Sequence, residues 1–305
     1  MILNVKNETS KLEVVVLGIP DSMGVEPTLE QTYDSKSYES VKNNDYPTEK
    51  EVAFEMGEFE KVLKKHGVQV FRPWMLENCN QVFARDVGMA IDDKFVIANI
   101  IPDRADEQEA YERIINSIAK EKVIKVPKNV HVEGGDVILW NEFMFVGCYK
   151  QADYYKFKTA RTNFEAVQFF KDLFPNKWVI DMELKKNDFD PYTGILHLDC
   201  TFQPVGHNKA IIYKDGFQNP MHYDILISLF GRDNVFEVTQ EEMYWMNPNV
   251  FSISPEIVVS EQNFTRLNNH MREVWGMTVE EIPYRAVSKM GGLLRCSTMP
   301  LIRAE

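Results

Sequence analysis

Cysteine is scarce in this chain: 305 residues hold four, Cys79, Cys148, Cys200 and Cys296, with no CxxC spacing among them. That excludes a zinc knot and a disulfide scaffold, and makes each cysteine by default a small buried hydrophobe. Nor does a further histidine or cysteine stand at ligand spacing from His197, so no metal is expected there. Long apolar runs are absent too. Polar and charged residues interrupt MILNVKNETSKLEVVVLG throughout, so neither a secretory signal nor a membrane span is expected, and the chain reads as cytoplasmic. Basic excess is also missing: 34 Lys and Arg face 46 Asp and Glu, a net charge of −12. This is the wrong sign for a nucleic-acid binder, whereas a small cationic ligand would suit it. Without any linker or low-complexity stretch, residues 1–305 are expected to form one domain.

What the sequence does have is a recurring unit. Each copy runs from an extended segment that starts on a polar residue, through a tight turn, into a second apolar segment and then a helical pattern. NQVFARDVGMAIDDKFVIANII turns at Asp92 and Asp93 and leads to a helical face of Ile114, Ile115 and Ile118. VEGGDVILWNEFMFVGC turns at Asn141 and Glu142 and precedes a helix over 164–173. HLDCTFQPVGHNKAIIY turns at 207–209, before a helix over 221–230. SPEIVVSEQ leads into a helix over 267–275, and GGLLRCSTMPLIR closes the series. The fifth unit is completed from the other end of the chain, where LEVVVLG reads as a strand. A helix follows over 47–66, with Thr48 and Glu51 at capping-box spacing and Gly67 as its stop. Five such units cannot bury their apolar faces singly, and a ring is the simplest way to pack them. The polar residues that open the units, Asp86, Glu133, His197, Asp199 and Cys296, would then face its centre.

The segments FARD, EGGDV, ARTN, HLDCTF and RCSTMPLIR together resemble the signature of the guanidino-group modifying enzymes. These comprise arginine deiminases, dimethylargininases, agmatine deiminases and amidinotransferases. The resemblance spans residues 80–303 and implies the pentein fold, an α/β five-bladed propeller of ββαβ repeats around a central active site. RCSTMPLIR looks most like the arginine deiminase pattern, while the chain length is closer to a dimethylargininase. Amidinotransferases generally show a DAAD-like segment where this chain has EGGD. The stretch YKQADYYKFKTARTN is longer than its usual counterpart, which bears on side-chain specificity.

The chemistry explains why these residue types belong together. A guanidinium is planar and permanently charged, so holding it away from water takes carboxylates in fork geometry, the role implied for Asp86 and Asp199. Its carbon is a poor electrophile, and a thiolate from Cys296 is a suitable nucleophile. His197 would protonate the departing nitrogen and then activate water, while Glu133 orients it and stabilises its charged form. Because the bound cation itself favours the thiolate, Cys296 is expected to be protonated in the free enzyme. By order and context Arg104 and Arg161 resemble the arginines that hold a substrate α-carboxylate, which disfavours the decarboxylated agmatine. The resemblance thus implies a hydrolase acting on arginine or an arginine derivative, with no cofactor, metal, nucleic acid or membrane partner. Amidino transfer to an acceptor amine is the alternative, and a non-catalytic binding ring is opposed by the intact Cys, His and Glu set. A homo-oligomer is compatible with the sequence, though EEMYWMNPNVFSIS reads as core rather than as a dimer surface.

Overall fold

The computed structural model describes residues 1–304. The chain begins with β1 (Leu12–Leu17), α1 (Ser35–Lys42), α2 (Glu49–Lys65) and β2 (Gln69–Phe71). A first complete unit follows: β3 (Gly88–Ile91), β4 (Lys94–Ile97), α3 (Glu112–Asn116) and β5 (Val123–Lys125). The second contains β6 (Val137–Trp140), β7 (Phe143–Cys148), α4 (Phe164–Leu173) and β8 (Trp178–Glu183). The third is β9 (Phe202–Val205), β10 (Lys209–Ile212), α5 (Met221–Phe230) and β11 (Val235–Glu237). After α6 (Gln240–Tyr244) comes the fourth, β12 (Phe251–Ser254), β13 (Ile257–Glu261), α7 (Thr265–Glu273) and β14 (Thr278–Ile282). The short α8 (Arg285–Ser288) precedes the last strand, β15 (Thr298–Arg303).

These strands make five separate three-stranded sheets. Each sheet pairs its first two strands as an antiparallel hairpin, and the third returns parallel to the middle one. A parallel return needs a crossover, which the helix supplies. The fifth sheet obeys the same rule with pieces from both ends: β15 runs antiparallel to β1, and β1 parallel to β2. β15 also lies against β3 of the first unit and β1 against β12 of the fourth, which closes the five units into a ring. Strands of three to six residues suffice, because most are buried on both faces.

Local chemistry sets the joints. The hairpins turn on left-handed residues, Asp92 (φ 52°), Asn141 (φ 56°) and Asn208 (φ 56°), which tolerate that conformation best after glycine. The third turn spans 206–208, with Lys209 already in β10, one residue earlier than the sequence suggests. Thr48 and Glu51 form the expected capping box on α2, which buries Val52, Met56, Phe59 and Leu63 at helical spacing. Gly67 ends the turn beyond it at φ 76°. The segment EEMYWMNPNVFSIS is core, with Met243, Met246, Val250, Phe251 and Ile253 buried. One element differs from expectation. The face of Ile114, Ile115 and Ile118 is helical only in part: α3 holds the first two, Ile118 lies beyond its end, and a ten-residue 3-10 run, Pro102–Tyr111, leads into it. In a 3-10 helix residues i and i+3 eclipse, and here that aligns Arg104 with Glu107, which pair through two hydrogen bonds of 2.7 and 2.8 Å.

Candidate active site

The polar residues that open the units converge at the ring centre, each held by a tight turn ahead of a strand. Asp86 ends a 3-10 turn two residues before β3, and Glu133 caps the Gly134–Asp136 turn before β6. His197 caps the turn containing Asp199 before β9, and Cys296 stands two residues before β15. None is more than 3% exposed. EGGD is therefore a strand start, and its glycines are required by close approach. A Cβ on Gly135 would lie 2.6 Å from His197 Nδ1, and one on Gly134 would lie 2.0 Å from the Arg85 carbonyl oxygen. The freed backbone is used, since Gly135 N–H donates to Asp86 Oδ1 at 3.2 Å.

Two groups of contacts make up the centre. In the first, His197 Nε2 lies 2.8 Å from Glu133 Oε2 and its Nδ1 lies 3.7 Å from Asp86 Oδ1. Nδ1 has no hydrogen-bond partner in this structure, so it is the ring nitrogen free for a ligand. Burial acts against a charged ring, but the Asp86 carboxylate and the Glu133 hydrogen bond outweigh it and hold the His197 pKa above its ordinary value. Burial likewise opposes ionisation of Glu133, yet Arg161 and His197 hold it well below the carboxylate range. The imidazolium–carboxylate pair is thus the stable form.

In the second group, Cys296 Sγ lies 3.6 Å from Asp199 Oδ2 and accepts a hydrogen bond from Asn249 Nδ2 at 3.2 Å. Burial, then Asp199 and Asp86, push the thiol well above its ordinary pKa. These surroundings favour the neutral thiol. Asp199 is itself tied to Arg295 Nη1 at 2.9 Å, and Arg295 is clamped by Glu8 from the N-terminal segment. Thr298 on β15 accepts a hydrogen bond from Arg85, which also donates to the Arg295 carbonyl.

Arg104 and Arg161 are not surface arginines. Arg104 donates Nη1 to Asp86 Oδ2 at 2.6 Å while its other edge holds Glu107. Arg161 donates to Glu133 Oε2 at 2.7 Å and to the carbonyls of Lys158 and Tyr33. The structure brings all seven sequence-derived residues to one place, with the two arginines already paired to Asp86 and Glu133. Asp86, Glu133 and His197 also present atoms within 4.8 Å of one another, a spacing compatible with a metal ion. The positive charge that balances them here comes from Arg104 and Arg161.

A cavity of 1020 Å³ borders this centre through Tyr33, Arg104 and Glu107. Its wall adds Glu26, Glu49, Glu77, Asp103, Asp106 and Glu109, with Arg104 as its one basic residue. Such a surface concentrates cations. Cys296 and His197 are not among its lining residues.

Sequence reasoning missed Asn249. It stands two residues before β12, the position that Asp86 holds before β3 and Cys296 before β15. A polar residue was due at that point in the fourth unit, and NPNVFSIS supplies it; repeat equivalence was the usable signal. Glu8, Arg295 and Glu107 were likewise unflagged, because nothing local marks a distant ion-pair partner.

With this geometry in view, the comparisons with known proteins are direct. The family model for N,N dimethylarginine dimethylhydrolase, eukaryotic, matches residues 20–303. The chain belongs to that family. It is 26% identical over 304 residues to the uncharacterized protein YkgA of Bacillus subtilis (strain 168), covering 98% of this chain and 95% of that one. Among solved structures it resembles SxtG, an amidinotransferase of saxitoxin biosynthesis from Microseira wollei. The TM-score is 0.76 at 17% identity, over 99% of this chain and 98% of that one. It also resembles the N-terminal domain of ArgZ, an arginine dihydrolase of the cyanobacterial ornithine–ammonia cycle, bound to product. There the TM-score is 0.78 at 14% identity, over 96% and 98% of the two chains. The fold is the five-bladed pentein propeller, and the family is one of enzymes acting on guanidino groups. No helix among the described residues is long and apolar enough to cross a membrane.

Proposed function

We propose that this protein is a hydrolase of the guanidino group of arginine or an arginine derivative, working through a covalent intermediate on Cys296. One observation carries the reading: a buried thiol beside the Asp199 carboxylate shares the ring centre with a hydrogen-bonded His197–Glu133 pair. The family, and arginine-directed relatives of the same fold, add support. Since the ring needs strands from both ends of the chain, residues 1–305 act as one catalytic unit in this account.

The substrate guanidinium lies between Asp86 and Asp199 and donates its N–H groups to them. Its charge offsets the two carboxylates that hold the Cys296 thiol neutral, so the thiol gives up its proton to solvent on substrate binding and regains one, from the former water oxygen, when the C–S bond later breaks. The sulfur attacks the central carbon and a C–S bond forms. His197 passes its proton to the departing nitrogen, the C–N bond breaks, and ammonia or an amine leaves behind an amidino-thioether. Neutral His197 then takes a proton from water as its oxygen attacks the same carbon. The C–S bond breaks, and the ureido product departs with His197 charged again. Arg104 and Arg161 take the ligand's α-carboxylate in this reading, which requires them to turn from Asp86 and Glu133 or use their remaining N–H groups; Arg161 uses three of its five in the free state. This route requires neither an organic cofactor nor a metal.

Purified protein given arginine or a methylated arginine, with no added amine, should release a ureido product with ammonia or the methylamine. Turnover that depends on an added acceptor amine would assign amidino transfer instead.

A further inference from the structure

We propose that Asn249 is a positioning residue for the nucleophile: it aims the Cys296 sulfur and supplies the hydrogen bond that stabilises its anion. The inference rests on the thiol reading above and goes beyond it, by assigning a role to a side chain outside the Cys, His and Glu set.

The geometry leaves the amide one orientation. Cys296 backbone N–H donates to Asn249 Oδ1 at 3.2 Å, so the oxygen must face the main chain of the nucleophile; a flipped amide would set donor against donor. The NH₂ end is then directed at two acceptors, Cys296 Sγ at 3.2 Å and the Asp199 carbonyl at 3.3 Å. Asn249 also accepts the Arg295 N–H through its own carbonyl at 3.4 Å. One fully buried side chain therefore touches the sulfur, the backbone of the nucleophile and the backbone of the residue whose carboxylate flanks it.

The consequence is electrostatic as well as steric. Another close polar neighbour of the sulfur is Asp199 Oδ2, an acceptor that favours a thiol and repels a thiolate, while a backbone hydrogen bond from Leu293 favours the anion. Asn249 is the opposite kind of partner, a donor whose hydrogen bond strengthens when the sulfur becomes negative. Oriented donors that need no rearrangement as charge forms are the efficient kind. Ionisation on substrate binding thus draws on the cation opposite Asp199, the Leu293 backbone and this fixed side-chain N–H.

Asn249→Asp keeps the volume and the oxygen that accepts the Cys296 N–H while removing the donor; because it also brings a carboxylate, the neutral Asn249→Leu, of like volume, is measured beside it, and the shift must appear in both. Iodoacetamide alkylation of Cys296, followed by peptide mass spectrometry across pH, reports ionisation of the sulfur without any substrate. We expect the alkylation midpoint of Asn249→Asp to move to higher pH by at least about one unit relative to wild type. For whichever guanidine the wild type turns over, kcat should fall by ~10- to 100-fold with KM nearly constant, the loss expected for a hydrogen bond to a charged group. An unchanged midpoint in a folded variant would overturn the proposal and reduce Asn249 to a structural brace. Should the variant not fold, the wild type carries the test. Its Asn249 side-chain amide resonances must shift as Cys296 titrates, and their insensitivity would overturn the proposal equally. Failure of the catalytic reading would look different: no guanidine turned over and no adduct on Cys296, with the alkylation profile still coupled to Asn249.

Discussion

At the scale of single residues, the site consists of groups whose charges are set by their neighbours. His197 is held charged by Asp86 and Glu133 against the cost of burial, while Cys296 is held neutral by burial and Asp199. On the proposed mechanism the free protein therefore has its acid ready and its nucleophile masked. Replacing His197 with Gln removes the proton donor but not the sulfur. We expect kcat to fall by about 10²- to 10⁴-fold, measured by product formation at saturating substrate, while iodoacetamide still modifies Cys296. Glu133→Gln should be worse for folding than for chemistry alone. It leaves Arg161 buried without its carboxylate, a loss of about 3–5 kcal/mol that urea unfolding would register. Both outcomes follow from pairs that the sequence could only suggest. FARD, EGGD and HLDC show their acids and histidine plainly, but nothing in PDRADEQE shows that Arg104 faces Asp86 rather than solvent.

At the scale of elements, five turns deliver these residues, and their tolerance is small. Gly135 lets the second unit pass against the imidazole, so Gly135→Ala has to displace His197 or Asp86. Such a variant is expected to unfold at a lower temperature by calorimetry and to lose activity by more than its stability loss explains. Away from the site, Phe59 on α2 packs edge-on against Phe251 and Tyr284 at 5.8 and 5.6 Å. Phe59→Ala should cost about 3–5 kcal/mol by urea unfolding. Most of this layer was legible. Hairpin turns at Asp92 and Asn141, the Thr48 capping box and the helices over 164–173 and 221–230 follow from local chemistry, and the structure has them in place. Local rules failed where a distant partner decides. Nothing near Arg104 in sequence shows that, held over Glu107, it also reaches Asp86 from the 3-10 run Pro102–Tyr111. Asn249 went unnoticed because its meaning comes from the repeat and not from its neighbours in sequence.

At the scale of the whole molecule, the ring is closed by its two ends, and the site depends on that closure. Glu8 crosses from the N-terminal segment to clamp Arg295, whose other edge holds Asp199. Burial opposes ionisation of Glu8, but Arg295 and Arg85 bring its pKa down from 4.5 to about 2. A depressed carboxylate pKa adds stability at pH above the unfolded value, which is lost as pH falls from about 4.5 through about 2. The pair therefore contributes about 3 kcal/mol near neutrality, and wild type should weaken steeply on acidification in that window. Glu8→Gln should be less stable at neutral pH and show a shallower acid transition, measured by denaturant unfolding at a series of pH values. On the proposed function, this ring makes and breaks a bond between the Cys296 sulfur and a guanidino carbon. Intact-protein mass spectrometry after an acid quench during turnover of arginine, agmatine and a methylated arginine, beside Cys296→Ser, tests it most directly. The account predicts an amidino adduct confined to Cys296, together with a ureido product, for a carboxylate-bearing guanidine, and neither in the variant. Product formed equally by Cys296→Ser, or no adduct and no product from any of the three in wild type, would contradict it.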